Sequence, residues 1–298
     1  MRPGFLFPCD PLRPTRVDPE FRPQAAAVRA AGAPLALIDH DALTAGAAHE
    51  AVAAVPTGSG AYWYRGWMVP VGRYGQLARA AQERGCVLLT GPERYARAHE
   101  LPGWYATFTE LTPRSAWRAA VPSAPPDRAV LGELAASLRP GAAVVKDYVK
   151  SRKHEWDEAC YVPDLGDAER LTAVVHRFFA LQDESLAGGL VLREFEPFVA
   201  GGEARVWWVD GEPVLVTAHP DTPGGCPAPE LAGVRAAVAA LDCRFVTTDL
   251  ALRTDGEWRV VEVGDGQVSG LPRDGAAGGA VETLVAALCR APVDGVVR

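Results

Sequence analysis

The stretch that most constrains this chain runs from Thr248 to Val263. Thr248-Asp249-Leu250-Ala251-Leu252-Arg253 and Trp258-Arg259-Val260-Val261-Glu262-Val263 read as two strands, rich in apolar and β-branched residues. Between them Asp255-Gly256 is a strong turn signal, because glycine accepts the positive φ that a two-residue turn requires. That turn sets Thr254 opposite Glu257, Leu252 opposite Arg259 and Asp249 opposite Glu262. Directly opposed residues have β-carbons about 5 Å apart. Like charges roughly 4 Å apart repel by about 4 kcal/mol at an effective dielectric near 20. Stability alone does not select such a pair. Either the hairpin edge is solvated or a positive group sits between the carboxylates, and a divalent cation carrying phosphates is the obvious one. Gly264-Asp265-Gly266-Gln267 follows and offers further oxygen ligands.

At 298 residues the chain can bury a large core and is expected to form two or three packed subdomains. Its net charge of −7 argues against a general nucleic-acid or membrane-surface binder. Six cysteines lie scattered without CxxC or Cys/His metal spacing, as expected of reduced thiols in a cytoplasm. The N-terminal residues include Arg2, Asp10, Arg13 and Arg16, so no signal peptide is expected, and no apolar run reaches the length of a membrane span.

In chain order, the first segment alternates strands and helices. Strands are expected at 4–7, 34–38, 61–64 and 86–89, with helices at 21–31 and 74–84. This pattern suggests a small doubly wound domain. Arg65 stands just past a strand end, where open α/β sheets place ligands; the competing expectation is a surface ion pair. Pro122-Ser123-Ala124-Pro125-Pro126 reads as a linker. Beyond it, a helix is expected over 127–138. Then the run from Ala142 to His154 places Lys146 inside an otherwise apolar strand, where its ammonium needs an anionic partner unless it reaches water. Lys150, Arg152 and Lys153 make a basic loop. A helix over 167–181 leads to a strand over 190–198 that carries Arg193, Glu194, Phe195 and Glu196. A second hairpin turns at Asp210-Gly211 and carries Arg205 on a face with Trp207 and Val209, so its guanidinium also needs a partner. Pro223-Gly224-Gly225-Cys226-Pro227 reads as a loop and 229–241 as a helix.

The sequence contains no GxGxxG, Walker A, HExxH or GxSxG motif. His49, His99, His154, His176 and His219 lie in unrelated contexts and read as structural or surface residues.

Taken together, the strand lysine, the basic loop, Leu192-Arg193-Glu194-Phe195, the hairpin arginine and Glu262-Val263-Gly264-Asp265-Gly266-Gln267-Val268 resemble the ATP-grasp superfamily. The run from Val145 to Trp156 resembles its R2K clade in particular. The likeness covers about residues 127–275. It implies an α/β (α+β) ATP-grasp fold, two lobes holding ATP between them, preceded by a small Rossmann-like pre-ATP-grasp domain. The expected division is 1–121 for that first domain and 127–298 for the ATP-grasp domain, with 127–190 the small lobe and 191–298 the large one.

The resemblance also implies roles. Lys146 would contact the α- and β-phosphates, and the loop carrying Lys153 would cover the triphosphate. Glu194, Phe195 and Glu196 would receive adenine and ribose, and Arg205 would support the phosphates. Asp249 and Glu262 would hold Mg²⁺. Family members commonly carry an asparagine where this chain has Gly264, so Asp265 or Gln267 is expected to supply the missing ligand. Arg193 and Arg65 are candidates for orienting a substrate carboxylate. The activity implied is ATP-dependent ligation of a carboxylate to an amine through an acylphosphate, on small-molecule or peptide substrates. A homodimer is allowed. A phosphotransferase on the same scaffold and a non-catalytic nucleotide-binding module are the alternatives.

Overall fold

The computed structural model describes residues 2–220, 222, 228–272 and 279–293. The expected loop at 223–227 lies outside them. Among the described residues, no helix is long and apolar enough to cross a membrane.

The N-terminal part contains β1 (Gly4–Asp10), β2 (Arg13–Val17), α1 (Arg22–Ala30), β3 (Leu35–Ile38), α2 (His40–Ala45), α3 (Ala48–Ala51), β4 (Gly60–Tyr64), α4 (Val71–Glu83) and β5 (Cys86–Leu88). Four of its strands pair in parallel in the order β3-β1-β4-β5, while β2 folds back antiparallel on the end of β1. Parallel strands need both faces covered. Accordingly Leu6, Tyr62 and Tyr64 pack under α4, while Phe5, Phe7 and Trp63 face α1 and the C-terminal elements. Helices α5 (Pro92–His99) and α6 (Leu101–Phe108) then lead out of this sheet.

The second sheet is built from β6 (Ser115–Ala119), β7 (Ala143–Lys146), β8 (Tyr161–Val162) and β9 (Gly189–Glu194), ordered β6-β9-β7-β8 and antiparallel throughout. One face is covered by α7 (Arg128–Ala136) and α8 (Ala168–Gln182). Helix α8 starts where the Asp167 carboxylate accepts from the Glu169 and Arg170 amides, and it buries the stripe Leu171, Val174, Val175 and Phe178. The sequence places a domain boundary at the proline-rich stretch 122–126. In the structure that stretch joins β6 to α7 inside one lobe, because β6 pairs with β9 from Ser115↔Arg193 to Ala119↔Gly189. The expected lobe division between 190 and 191 falls within β9.

The third sheet has the order β11-β10-β12-β13, from β10 (Phe198–Val209), β11 (Glu212–Ala218), β12 (Phe245–Arg253) and β13 (Trp258–Asp265). On one face Val206, Trp208, Val246, Leu250 and Val263 pack under α5, α6 and α9 (Ala232–Ala240). On the other, Trp207, Val209 and Phe245 meet Trp63 of the first sheet and α10 (Ala280–Arg290). The rest of that face is left for the cleft.

The two Asp-Gly hairpins close differently. Asp210 and Gly211 both adopt positive φ, 50° and 83°, and make a two-residue turn with Val209 opposite Glu212. At the other, Arg253 donates to the Glu257 carbonyl at 2.8 Å and only Gly256 has positive φ, 93°. That loop has three residues, so Leu252 pairs with Trp258 and Ala251 with Arg259, one residue away from the two-residue-turn register. A bulge at Val261 then takes up one residue, and Asp249 stands opposite Glu262 as expected.

Candidate functional site

The cross-strand row Thr217–Arg205–Asp249–Glu262 crosses all four strands of the third sheet. Directly opposed residues share a face, so both carboxylates point the same way and line one cleft. The protein cation nearest Asp249 comes from the neighbouring strand β10. The Arg205 guanidinium makes a two-point contact with Asp249, Nε to Oδ1 and Nη2 to Oδ2, each at 2.7 Å. His219 Nε2 lies 3.3 Å from Asp249 Oδ2. Burial opposes ionisation of Asp249, but Arg205 and then His219 outweigh it and hold the carboxyl well below the usual carboxylate range. Arg205 also donates to the Gly270 carbonyl at 3.1 Å. Glu262 is half-buried and has no hydrogen-bond or ion-pair partner among the described residues.

The facing wall comes from the second sheet. Lys146 and Arg193 are buried, on neighbouring strands paired through Val144↔Arg193 and Lys146↔Val191. Lys146 Nζ donates to the Val149 carbonyl at 3.3 Å. Burial lowers its ammonium below the ordinary lysine value, with Glu262 the largest opposing influence. Arg193 is lowered by burial to about 10, again with Glu262 opposing. Its Nε donates to Ser115 Oγ at 3.1 Å and its Nη1 to the Val261 carbonyl, which the bulge frees from the ladder. Its Nη2 is buried without a partner among the described residues. Arg193 lines the cleft, and a guanidinium with a spare N–H suits an oxyanion.

The cleft has a volume of about 250 Å³, and Ser151, Lys153, Trp156, Glu194–Glu196, Glu203 and His219 also line it. Trp156 stacks on Tyr161 at 5.1 Å, and Phe195 packs edge-on against Trp156 at 6.1 Å. This half-exposed aromatic corner offers a flat ligand a face. The Glu194 carboxylate accepts from the Arg139 amide at 2.8 Å, and Glu196 is gripped by Arg259 at 3.0 and 3.2 Å. The Phe195 amide is taken by the Ala142 carbonyl.

Two expected site residues lie elsewhere. Asp265 does not reach the cleft. Three residues beyond Glu262 on an alternating strand, it points to the opposite face, is fully buried and accepts from the Gln267 amide at 2.9 Å. Gln267 is also committed, accepting from the Tyr64 amide at 3.0 Å and donating to Tyr74 Oη at 2.9 Å. At Gly264 a Cβ would sit 3.0 Å from Thr247 Oγ1 and 3.4 Å from Ser269 Oγ, and these hydroxyls bond each other at 2.7 Å. A threonine–serine pair occupies the space expected for an asparagine side chain. Arg65 is buried and donates to Gln24 Oε1 at 2.9 Å and to the carbonyls of Gly266 and Ser269. It joins the first sheet to the segment after β13 and does not line the cleft.

His219, Glu203 and Trp156 line the cleft although no role follows for them from the sequence. His219 belongs to the face of Arg205 because a bulge at Val214 shifts the second hairpin by one residue.

No three carboxylate, histidine or cysteine groups among the described residues converge to hold a metal unaided. Two carboxylates, one of them without a partner among the described residues, opposite buried cations fit Mg²⁺ that completes its shell with water and phosphate oxygens. Lys146, Lys153 and Arg193 suit the phosphates themselves.

The same architecture occurs in solved structures. The RimK domain ATP-grasp protein from Sphaerobacter thermophilus DSM 20745 superposes over 99% of this chain and 100% of its own, with TM-score 0.59 and 14% identity. D-cycloserine synthetase DcsG matches over 95% of this chain and 99% of its own, with TM-score 0.59 and 18% identity. The ATP-grasp ligase PsnB, solved with minimal precursor, Mg and ADP, matches over 95% and 96%, with TM-score 0.56 and 14% identity. These likenesses define an ATP-grasp fold. Residues 131–288 match the model of the ATP-grasp domain, R2K clade family 3, and the chain belongs to that family. Nothing matches among curated protein sequences.

Proposed function

We propose that the protein is an ATP-dependent ligase that joins a carboxylate to an amine through an acylphosphate. The observation that carries this reading is that Glu262, without a hydrogen-bond or ion-pair partner among the described residues, lines one cleft with buried Lys146 and Arg193. In this reading Lys146 and Lys153 hold the triphosphate, Trp156 and Phe195 flank the adenine, and Glu262 with Asp249 holds Mg²⁺. The metal supplies charge neutralisation between the phosphates. Arg193 steadies charge on the transferred group, which is positioning and electrostatics and needs no covalent work by the protein. Arg205 acts through Asp249, keeping that carboxylate ionised and aimed. The similar structures include a ligase bound to a precursor peptide and a synthetase of a small molecule, so peptide and small-molecule carboxylates are the first substrates to try.

A screen for ADP release against amino-acid and peptide mixtures with Mg-ATP tests the reading. Substrate-dependent ADP and phosphate with a new amide are expected. A stable phosphorylated product with no amide would instead assign a phosphotransferase.

A further inference from the structure

A second and larger cavity, about 930 Å³, shares Glu194 and Glu196 with the cleft as lining residues. Its volume is within the range of pockets that bind ligands. We propose that it is a separate ligand site, taking a carboxylate-bearing ligand of peptide size and coupled to the cleft through Glu196. The coupling rests on the nucleotide reading above; the site itself does not.

The wall is built for a carboxylate, because it already holds one. Arg259, mostly buried, grips Glu196 through Nε at 3.0 Å and Nη2 at 3.2 Å, and is fixed in place by the carbonyls of Glu110 and Thr112, each at 2.8 Å. Arg253 Nη1 lies 3.6 Å from the same carboxylate. Two guanidiniums thus converge on one internal anion. The Thr112 side chain is 1% exposed and its Oγ1 has no hydrogen-bond partner, although it borders the cavity. Arg114, at the rim, is exposed and has no ion pair among the described residues. An incoming carboxylate would meet Arg114 and compete with Glu196 for the fork of Arg259.

Glu196 borders both cavities. Displaced from Arg259, it turns toward the cleft, where a carboxylate accepts hydrogen bonds from sugar hydroxyls. Ligand in the larger cavity and nucleotide in the cleft then favour each other's binding, reciprocally.

Calorimetric titration of the full chain with tetraglutamate, glutarate and tetralysine tests this. Tetraglutamate is expected to bind, Arg114→Ala to weaken it at least tenfold, and Glu196→Gln to tighten it several-fold by removing the competitor. Tetralysine is expected not to bind. Glutarate binding as tightly as tetraglutamate assigns the site to a free dicarboxylate; weaker glutarate binding assigns it to a peptide. Mg-ADP is expected to bind several-fold tighter with tetraglutamate present, and Glu196→Gln to abolish that gain. Equal affinity for tetraglutamate in wild type and Arg114→Ala, or no binding, overturns the proposal. Peptide binding that passes these tests while Mg-ADP fails to bind supports the site and contradicts the nucleotide reading alone.

Discussion

Two polar clusters hang from strand β13, and they are built from the same kinds of residue. On one face, Glu262 meets Lys146, Arg193 and the Asp249–Arg205 pair. Near the strand's end, Asp265, Gln267, Arg65 and Tyr74 form the other. Both arginines are buried, and burial lowers each to about 10. The difference lies in what is left over. Arg65 is fully taken up by Gln24 and two carbonyls, while Arg193 keeps one nitrogen without a partner. Asp265 Oδ2 is likewise buried without a partner among the described residues, so the two clusters part at their arginines and at Glu262. A fully bonded guanidinium ties sheets together, whereas one with a spare donor, lining a cleft with a spare carboxylate, is arranged for a ligand.

Mutations in the two clusters are expected to have opposite consequences. Lys146→Ala and Glu262→Ala are expected to abolish ATP turnover, a loss of about 10²–10³-fold or more, while thermal unfolding stays close to wild type. Near-normal rates in either variant would remove the cleft from the chemistry. Arg65→Ala is expected to do the reverse. It strands buried carbonyls of Gly266 and Ser269 and so costs roughly 3–5 kcal/mol in urea unfolding, with the ATP KM of the remaining folded protein little changed.

Asp265 sharpens the comparison through pH. Burial raises its carboxyl from an ordinary 3.8 to about 7. Between those values the folded chain holds a proton that the unfolded chain has lost. Its contribution to stability is therefore fullest below about pH 4 and falls as pH rises through about 7, by at most on the order of 4 kcal/mol. Asp265→Asn is expected to flatten that slope in unfolding measured from pH 4.5 to 7.5; an unchanged slope would assign it to another group. The smallest effect is expected at Trp156→Ala, a several-fold rise in the KM for ATP from about 1 kcal/mol of lost ring contact, with kcat retained.

Much of the cleft was legible in the sequence because strands alternate and turns have signatures. The opposition of Asp249 and Glu262 follows from Asp255-Gly256, yet two local departures cancel to produce it: a three-residue loop and the bulge at Val261. Bulges are set by packing, and they decide which face a residue meets. In the second hairpin the bulge at Val214 has no compensating partner, so His219 lands on the face of Arg205, where unbroken pairing would put it on the other. Asp265 was within reach of parity: an odd step from Glu262 on a regular strand inverts the face. Arg65 was not, because its partners come from Gln24 and residues 266–269, far apart in sequence. The proline-rich stretch 122–126 shows the same limit. Composition marks it as a linker, and only the pairing of β6 with β9 shows what it connects.

The most direct measurement is calorimetric titration of ADP, with and without Mg²⁺, into the wild type, Glu262→Gln and Asp265→Asn. Mg²⁺ is predicted to strengthen ADP binding in the wild type and in Asp265→Asn, and to lose that effect in Glu262→Gln. Mg²⁺-dependent binding that survives in Glu262→Gln and disappears in Asp265→Asn would contradict the placement of the metal-nucleotide site in the cleft.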